Sequence, residues 1–250
     1  MRAYWTLTWR ELGAYFLSLT GYIIIAASLF LTGLSFIDLL DRLRGEAMPA
    51  PLTEIYFNTW WFPMIVVLAT PVITMRLFAQ EKFSGTFETL MTTPVSDLQV
   101  VLAKFSAALV FYIVLWLPLV GCVLLVRHYS NDQSAFDSGI MGSTFLGIIL
   151  LGGLLVSLGC CASALTRSQV AAAMMGLAFG FSVLLLGFLA DKTATHASWQ
   201  AQVLACFAIF EQMRDFARGM VDTQAVVLMV SLTLFFLFVN LRIIESRRWK

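Results

Sequence analysis

An all-α membrane protein with six transmembrane helices is the fold that this sequence predicts, and two observations support it. Of the 250 residues, 60% are hydrophobic and only 12% are charged, which is more apolar side chain than a soluble domain of this length can bury. Six apolar stretches also come close to the roughly 20 residues that cross a hydrocarbon core. These stretches lie at about 13–37, 57–77, 102–126, 140–165, 169–190 and 224–242. We expect them to form a single transmembrane domain over residues 1–250.

Basic residues are distributed unequally between the two sides of the predicted bundle. Six spans place both termini on one side, and that side carries ten of the 16 Lys and Arg residues. Lys and Arg are enriched in cytoplasmic loops of membrane proteins. The sequence therefore predicts cytoplasmic N- and C-termini.

The residues before the first span, 1–12, predict an amphipathic "elbow" helix on the membrane surface. Trp5 and Trp9 fall on one side of such a helix, and Arg10 falls on another. Aromatic and basic side chains together suit the headgroup level of a bilayer, so these three residues are candidate interface anchors. The alternative is that this stretch is the frayed start of the first span.

The longest polar interruption on the predicted cytoplasmic side runs from Arg76 to Lys104. Its first part predicts a short amphipathic helix over about 80–92, with one apolar face and one acidic face. The apolar face holds Phe83, Phe87, Leu90 and Met91, and the acidic face holds Glu81 and Glu88. Pro94 ends this helix, and Ser96 with Gln99 has the spacing of a capping box for the next one. The alternative is an ordinary amphipathic loop on the membrane surface.

Small residues are concentrated in the fourth and fifth apolar stretches. Gly176 and Gly180 form a G-x-x-x-G pattern, which permits close approach of two helices in a membrane. Both the core of one subunit and the seam between two subunits are compatible with this pattern.

The outer segment at about 191–222 is longer than a simple connection needs, and it predicts a re-entrant or outer-leaflet helical hairpin that ends at Gly219. Four charged residues in the helical part of this segment prevent it from spanning the membrane. They are Glu211, Arg214, Asp215 and Arg218. Charges held beside lipid often mark function, but these four can also form structural pairs three residues apart on one helix.

Three motifs carry a resemblance to a known family. The run E-K-F-S-G-T-F-E-T-L-M-T-T-P-V-S at 81–96 resembles the first cytoplasmic loop of ABC-2 type transporter permeases, where the pattern E-x-x-S-G-T-x-E-x-L-x-x-x-P-V-S forms the coupling helix. S-A-L-T-R-S-Q at 163–169 is similar to the same family. F-E-x-x-x-D-F-x-R-G-x-V-D at 210–222 looks most like the small permeases of gliding-motility and nitrous-oxide-reductase-maturation systems.

The resemblance implies a type V exporter-like fold in which the coupling helix sits in a groove of a separate ATPase. It implies that Glu81 and Glu88 contact that ATPase, that Ser84 and Gly85 permit close approach, and that Phe83 and Phe87 pack into the groove or onto the bundle. Thr86, Leu90 and Pro94 complete the motif. The implied partners are two ATPase subunits, a second copy of this chain or a related permease, and membrane lipid, with periplasmic accessory subunits as a further option. A six-span chain without a fused ATPase implies a bacterial inner membrane.

Nucleotide-binding and catalytic motifs are absent from the sequence. There is no G-x-x-x-x-G-K-[ST] run to hold phosphates, so we expect no enzymatic activity and no cofactor in this chain, with ATP and Mg²⁺ bound by the partner. The scattered basic residues act as membrane anchors and do not predict nucleic-acid binding. The alternative function is a membrane-anchoring scaffold subunit that moves no substrate itself.

Overall fold

The computed structural model of the chain describes residues 2–42, 51–86, 95–129, 137–193 and 207–248. These ranges contain ten helices and no strand. The helices are α1 (Arg2–Phe16), α2 (Leu19–Arg42), α3 (Leu52–Phe57), α4 (Trp61–Thr74), α5 (Ala79–Ser84), α6 (Asp97–Tyr129), α7 (Ser138–Leu165), α8 (Gln169–Thr193), α9 (Ile209–Ala217) and α10 (Thr223–Arg248).

Six helical segments in the described residues are long and apolar enough to cross a membrane. They are α2, α4 together with α5, α6, α7, α8 and α10. The prediction of an all-α membrane protein with six spans is therefore confirmed. Because consecutive spans run in opposite directions, α1 and α5 lie at one end of the bundle, called here the α5 end, and α3 and α9 lie at the other, called the α9 end.

The boundary between the elbow helix and the first span differs from the prediction. The helix predicted at 1–12 continues to Phe16, and the span predicted at 13–37 begins only at Leu19 and continues to Arg42. Ser18 creates the break, because its hydroxyl accepts a hydrogen bond from the backbone N–H of Gly21 at 3.1 Å and so caps α2. A Cβ at Gly21 would lie 1.8 Å from the carbonyl oxygen of Tyr15, so this turn requires glycine.

Helix α7 is the central element of the bundle and the most deeply buried of the six spans. It packs against α4, α6, α8, α9 and α10. Two of its glycines allow this position. A Cβ at Gly152 would meet the ring of Tyr112 at 2.1 Å, and a Cβ at Gly159 would meet Thr74 Oγ1 at 2.2 Å, so larger residues would push α6 and α4 away.

The G-x-x-x-G pattern of α8 faces α4 within the same chain. A Cβ at Gly176 would lie 3.1 Å from Pro71, and a Cβ at Gly180 would lie 3.2 Å from Val67. Of the two interpretations left open by the sequence, the structure thus supports packing inside one subunit.

Helix α9 ends as the sequence predicts, at Gly219 with a positive φ of 89°. Glycine adopts this left-handed conformation readily, and the turn lets the N–H of Met220 bond to the carbonyl of Asp215 at 2.9 Å. Two hydroxyl groups satisfy further carbonyls at this terminus. Thr53 donates to the carbonyl of Ala217 at 2.7 Å, and Ser143 of α7 donates to the carbonyl of Phe216 at 2.8 Å. The part of the predicted hairpin over 194–206 lies outside the described residues.

Candidate functional site

Helix α5 is docked onto the end of α7 through Ser163. Its hydroxyl oxygen accepts hydrogen bonds from the backbone N–H groups of Phe78 at 3.0 Å and Ala79 at 3.1 Å. The same hydroxyl group donates to the carbonyl of Met75 at 3.3 Å. One side chain therefore fixes the turn between α4 and α5, and Lys82 adds a hydrogen bond from its amine to the carbonyl of Ala164.

The predicted coupling helix is shorter than expected in the described residues. The prediction of one continuous helix over 80–92 is wrong at Gly85, where φ is 74° and the chain leaves the right-handed helical conformation. Nothing lies within 4 Å of a Cβ built on Gly85, so within this chain the glycine serves the backbone conformation. The motif residues that follow Thr86 lie outside the described residues, and their predicted roles stay predictions. They are Phe87, Glu88, Leu90, Met91 and Pro94.

One side of α5 is open to the surroundings. The side chain of Phe83 is 80% exposed, and Ser84, Gly85 and Thr86 are exposed as well. The hydroxyl groups of Ser84 and Thr86 lie 2.8 Å apart and hydrogen-bond to each other. Four of the residues predicted to contact an ATPase thus form one accessible surface, called here the α5 surface.

Glu81 differs from the other motif residues because it points into the chain. Its Oε1 lies 2.8 Å from Lys104 Nζ and 3.6 Å from Arg10 Nη2. The resemblance implied a contact of Glu81 with the ATPase, whereas the structure places its carboxylate in an ion cluster that connects α5 to the bundle.

Lys104 is the centre of this cluster. Its side chain is only 3% exposed, and its amine also donates to Glu11 Oε2 at 3.1 Å. Glu11 belongs to α1, Glu81 to α5 and Lys104 to the start of α6. A single buried cation therefore holds together three elements that are distant in sequence.

The pKa values of Glu11 and Arg10 are both shifted in the direction that favours the ionised form. Burial raises the pKa of Glu11, but the charge of Lys104 and hydrogen bonds from Arg10 and Lys104 outweigh burial, so the pKa lies below its ordinary value. The hydrogen bond to Glu11, at 2.7 Å, raises the pKa of Arg10. Opposite charges in partly buried surroundings favour their ionised forms in this way.

The elbow helix presents its predicted anchors outward and packs on α6 with its other side. The side chains of Trp5 and Trp9 are exposed, and Arg10 is about half-exposed. On the inner side, the hydroxyl groups of Tyr4 and Ser106 lie 2.6 Å apart. The exposed side suits an interface with lipid headgroups, which stays a prediction.

The start of α6 carries the predicted cap. The hydroxyl oxygen of Ser96 accepts a hydrogen bond from the backbone N–H of Gln99 at 3.4 Å. This contact is the Ser half of the capping box, so the chain enters the third span in a defined direction.

Charged residues at the α9 end form ion pairs on the surface. Glu211 and Arg214 pair at 3.3 Å, as expected for neighbours three residues apart. Arg218 lies 3.9 Å from Asp215 but only 2.7 Å from Glu54 of α3, and its hydrogen bond to Glu54 raises the pKa of Arg218. The structural interpretation of these charges is supported, with Glu54 as a partner that the sequence did not reveal.

Glu11 and Lys104 are members of the site that were not predicted from the sequence. Lys104 was counted only in the balance of basic residues between the two sides. A signal was nevertheless present for Lys104, because it is an ionisable residue among apolar neighbours at the start of a span, and such residues need a partner.

A comparison with protein families decides the identity. The family model described as ABC-2 family transporter protein matches residues 49–240. The chain belongs to the ABC-2 transporter family. The matched range of this ABC-2 chain includes the α5 surface, Lys104 and α9. A comparison with curated protein sequences found no match.

As a member of the ABC-2 family with six apolar spans, the chain is a multi-pass membrane permease of an ABC transport system. Permeases of this family work with an ABC ATPase. The α5 surface and the ion cluster behind it form the candidate functional site.

Proposed function

We propose that the chain is the permease subunit of an ABC-2 exporter and that a separate ATPase subunit docks on the α5 surface. The observation that carries this proposal is the two-sided character of α5. Its inner side is bound to α7 through Ser163 and to α6 through Glu81, while its outer side exposes Phe83. A helix held in this way can receive a force on one side and transmit it on the other.

The ion cluster supplies the route of transmission. When nucleotide brings two ATPase subunits together, movement of α5 would act on α4 through the short turn at 75–78 and on α6 and α1 through Lys104. The spans would then shift between inward-open and outward-open arrangements, as an equilibrium that nucleotide biases.

The complex is expected to contain two permease subunits, either two copies of this chain or this chain with a related one, and two ATPase subunits. The ATPase supplies ATP and Mg²⁺ binding and all hydrolysis. In this arrangement the spans cross a bacterial inner membrane, and the α5 end and both termini lie on its cytoplasmic side. The charge balance of the sequence agrees with this orientation.

The test is affinity purification of the tagged full chain in mild detergent, with identification of the co-purifying proteins and an ATP hydrolysis assay. Phe83→Ala removes an exposed ring from the α5 surface, and Phe207→Ala removes an exposed ring at the α9 end as the matched control. We expect a P-loop ATPase to co-purify with the wild type and the control, and to be lost or reduced with Phe83→Ala.

Two results would count against the proposal. Equal recovery of the ATPase with both variants would place its docking site away from Phe83. Recovery of structural or periplasmic proteins without any ATPase would favour the membrane-anchoring scaffold.

A further inference from the structure

A cavity of about 630 Å³ lies at the α5 end between α1, the turn before α5 and the start of α6. Its wall carries most of the charged residues of this region. They are Arg10, Glu11, Arg76, Glu81 and Lys104, and the neutral amide of Gln80 also lines the cavity. A pocket of this size is large enough for a small ligand or for the headgroup of a lipid.

The charges around the cavity do not balance. Three cations and two carboxylates line it. Each carboxylate binds Lys104 through one oxygen, and Arg10 pairs with Glu11 at 2.7 Å, whereas Oε2 of Glu81 is buried and has no hydrogen-bond partner among the described residues. Among the residues that the structure describes, Arg76 has no carboxylate within 4 Å, so one positive charge is left uncompensated.

Arg76 is also short of hydrogen-bond partners. In the described part of the chain its guanidinium group donates to a single side chain, the hydroxyl of Thr20. Its Nε is buried and has no hydrogen-bond partner among the residues that the structure describes. A guanidinium group has five N–H donors, and a half-buried cation with unused donors is unfavourable unless water or a ligand satisfies them.

The position of the cavity indicates which anion is available. Trp5 and Trp9 are exposed on α1, the helix that forms one wall, and tryptophan side chains favour the headgroup level of a bilayer. At this depth the abundant anion is the phosphate of lipid headgroups. The planar fork of arginine matches the oxygen atoms of a phosphate group.

We propose that the cavity binds a phosphate group, with Arg76 as its principal partner and the amide of Gln80 as a second donor. The phosphate comes either from the headgroup of an anionic phospholipid or from a soluble phosphate compound. The ion cluster of Lys104 forms the wall of this site and stays intact when the ligand binds. The proposal is independent of whether an ATPase docks on the α5 surface.

The experiment is native mass spectrometry of the detergent-purified full chain during titration with phosphatidylglycerol. Diacylglycerol, which lacks the phosphate, serves as the comparison ligand. The variant is Arg76→Gln, and the matched control is Arg242→Gln, which removes an exposed arginine at the same end of the bundle. We expect phosphatidylglycerol to bind the wild type and the control about tenfold more tightly than Arg76→Gln, and diacylglycerol to show no such difference.

A second arm adds inorganic phosphate to distinguish the two sources. Displacement of the lipid by inorganic phosphate supports a site for soluble phosphate compounds, and retention of the lipid supports a headgroup site. Equal affinity of phosphatidylglycerol for Arg76→Gln and wild type overturns the proposal.

A measurement on the wild type tests the same site without a variant that could misfold. Phosphatidylglycerol with a photoreactive group in its headgroup is cross-linked to the chain, and the modified peptides are identified. Labelling of the segments around 10–20 and 76–86 supports the site. Labelling confined to other segments overturns it.

Discussion

Both ends of the bundle use ion pairs to join distant parts of the chain, but the pairs differ in burial. At the α5 end, Lys104 is 3% exposed and binds Glu11 and Glu81. At the α9 end, Arg218 pairs with Glu54 of α3 but is itself 46% exposed, and Arg214 and Glu211, which pair within α9, are each 42% exposed. A buried charge loses its hydration and depends on its partners, whereas an exposed one can exchange them for water. Charges therefore fix the arrangement of helices more strongly at the α5 end, where the central cation is buried, than at the α9 end, where the cations are exposed.

The α9 end is held instead by neutral hydrogen bonds. Hydroxyl groups of Thr53 and Ser143 donate to the last carbonyls of α9. Such bonds complete the terminus of a helix without placing charge in an apolar environment. The end proposed to receive force is thus the one that has buried charges, and the predictions below test this contrast.

The largest effect is expected for Lys104→Met. It leaves two partly buried carboxylates with the half-exposed Arg10 as their remaining cation, and the loss of the buried partner costs about 3–5 kcal/mol. The measurement is thermal unfolding in detergent. The triple variant with Glu11→Gln and Glu81→Gln removes the uncompensated charges as well and is expected to recover most of the loss. A triple variant as unstable as Lys104→Met would show that Lys104 matters through packing and not through charge.

A smaller effect is expected for Ser163→Ala. The backbone N–H groups of Phe78 and Ala79 lose their shared acceptor, at a cost of about 1–3 kcal/mol. Hydrogen exchange over residues 78–84 is expected to accelerate because α5 loses its attachment to α7. Thr53→Val at the α9 end is the control. Faster exchange in α5 with this control would contradict a local origin of the effect.

Acid should weaken the α5 end through Glu11. Its pKa is lowered in the folded chain, so the ionised carboxylate stabilises the fold above the ordinary value of 4.5 and loses this contribution as the pH falls through the lowered pKa. Glu11→Gln is expected to lower stability at neutral pH and to flatten the decline between about pH 5 and pH 3. Unfolding midpoints against pH measure both effects. Glu245→Gln, which removes a carboxylate at the same end, should leave the decline unchanged.

The smallest effect is expected for Arg214→Gln at the α9 end. It removes an exposed ion pair, which contributes about 0–1 kcal/mol. The unfolding midpoint should stay close to that of the wild type, and added salt should reduce any difference. A loss as large as that of Lys104→Met would end the distinction drawn here between the two ends.

Local patterns predicted the spans, and long-range contacts explain what was missed. The six apolar stretches and the glycine at the end of α9 are recognised from residues that are neighbours in sequence, so they can be predicted from the sequence. The partners of Lys104 are 93 and 23 residues away, and no local periodicity brings them together. Arg218 is a similar case, since its pairing with Glu54 depends on the packing of α3 against α9.

Two helix boundaries were missed for a different reason. The break between α1 and α2 falls inside a continuous apolar run, where a single capping serine outweighs the hydrophobic pattern. Likewise, Gly85 lies in an amphipathic pattern that fits a continuous helix. Glycine can adopt either a negative or a positive φ, so its presence does not reveal that φ is positive here. The periodicity of apolar residues is the same whether the helix continues or breaks at these two positions.

The packing of α1 on α6 joins residues that the ribosome makes at very different times. Tyr4 meets Ser106, a residue made 102 positions later. At about 5–20 residues per second, a ribosome needs on the order of 5–20 seconds to supply that partner. During this delay the first span is already made, and the predicted anchors Trp5 and Trp9 would hold α1 at the bilayer surface. We therefore expect lipid to position the elbow helix before the protein does.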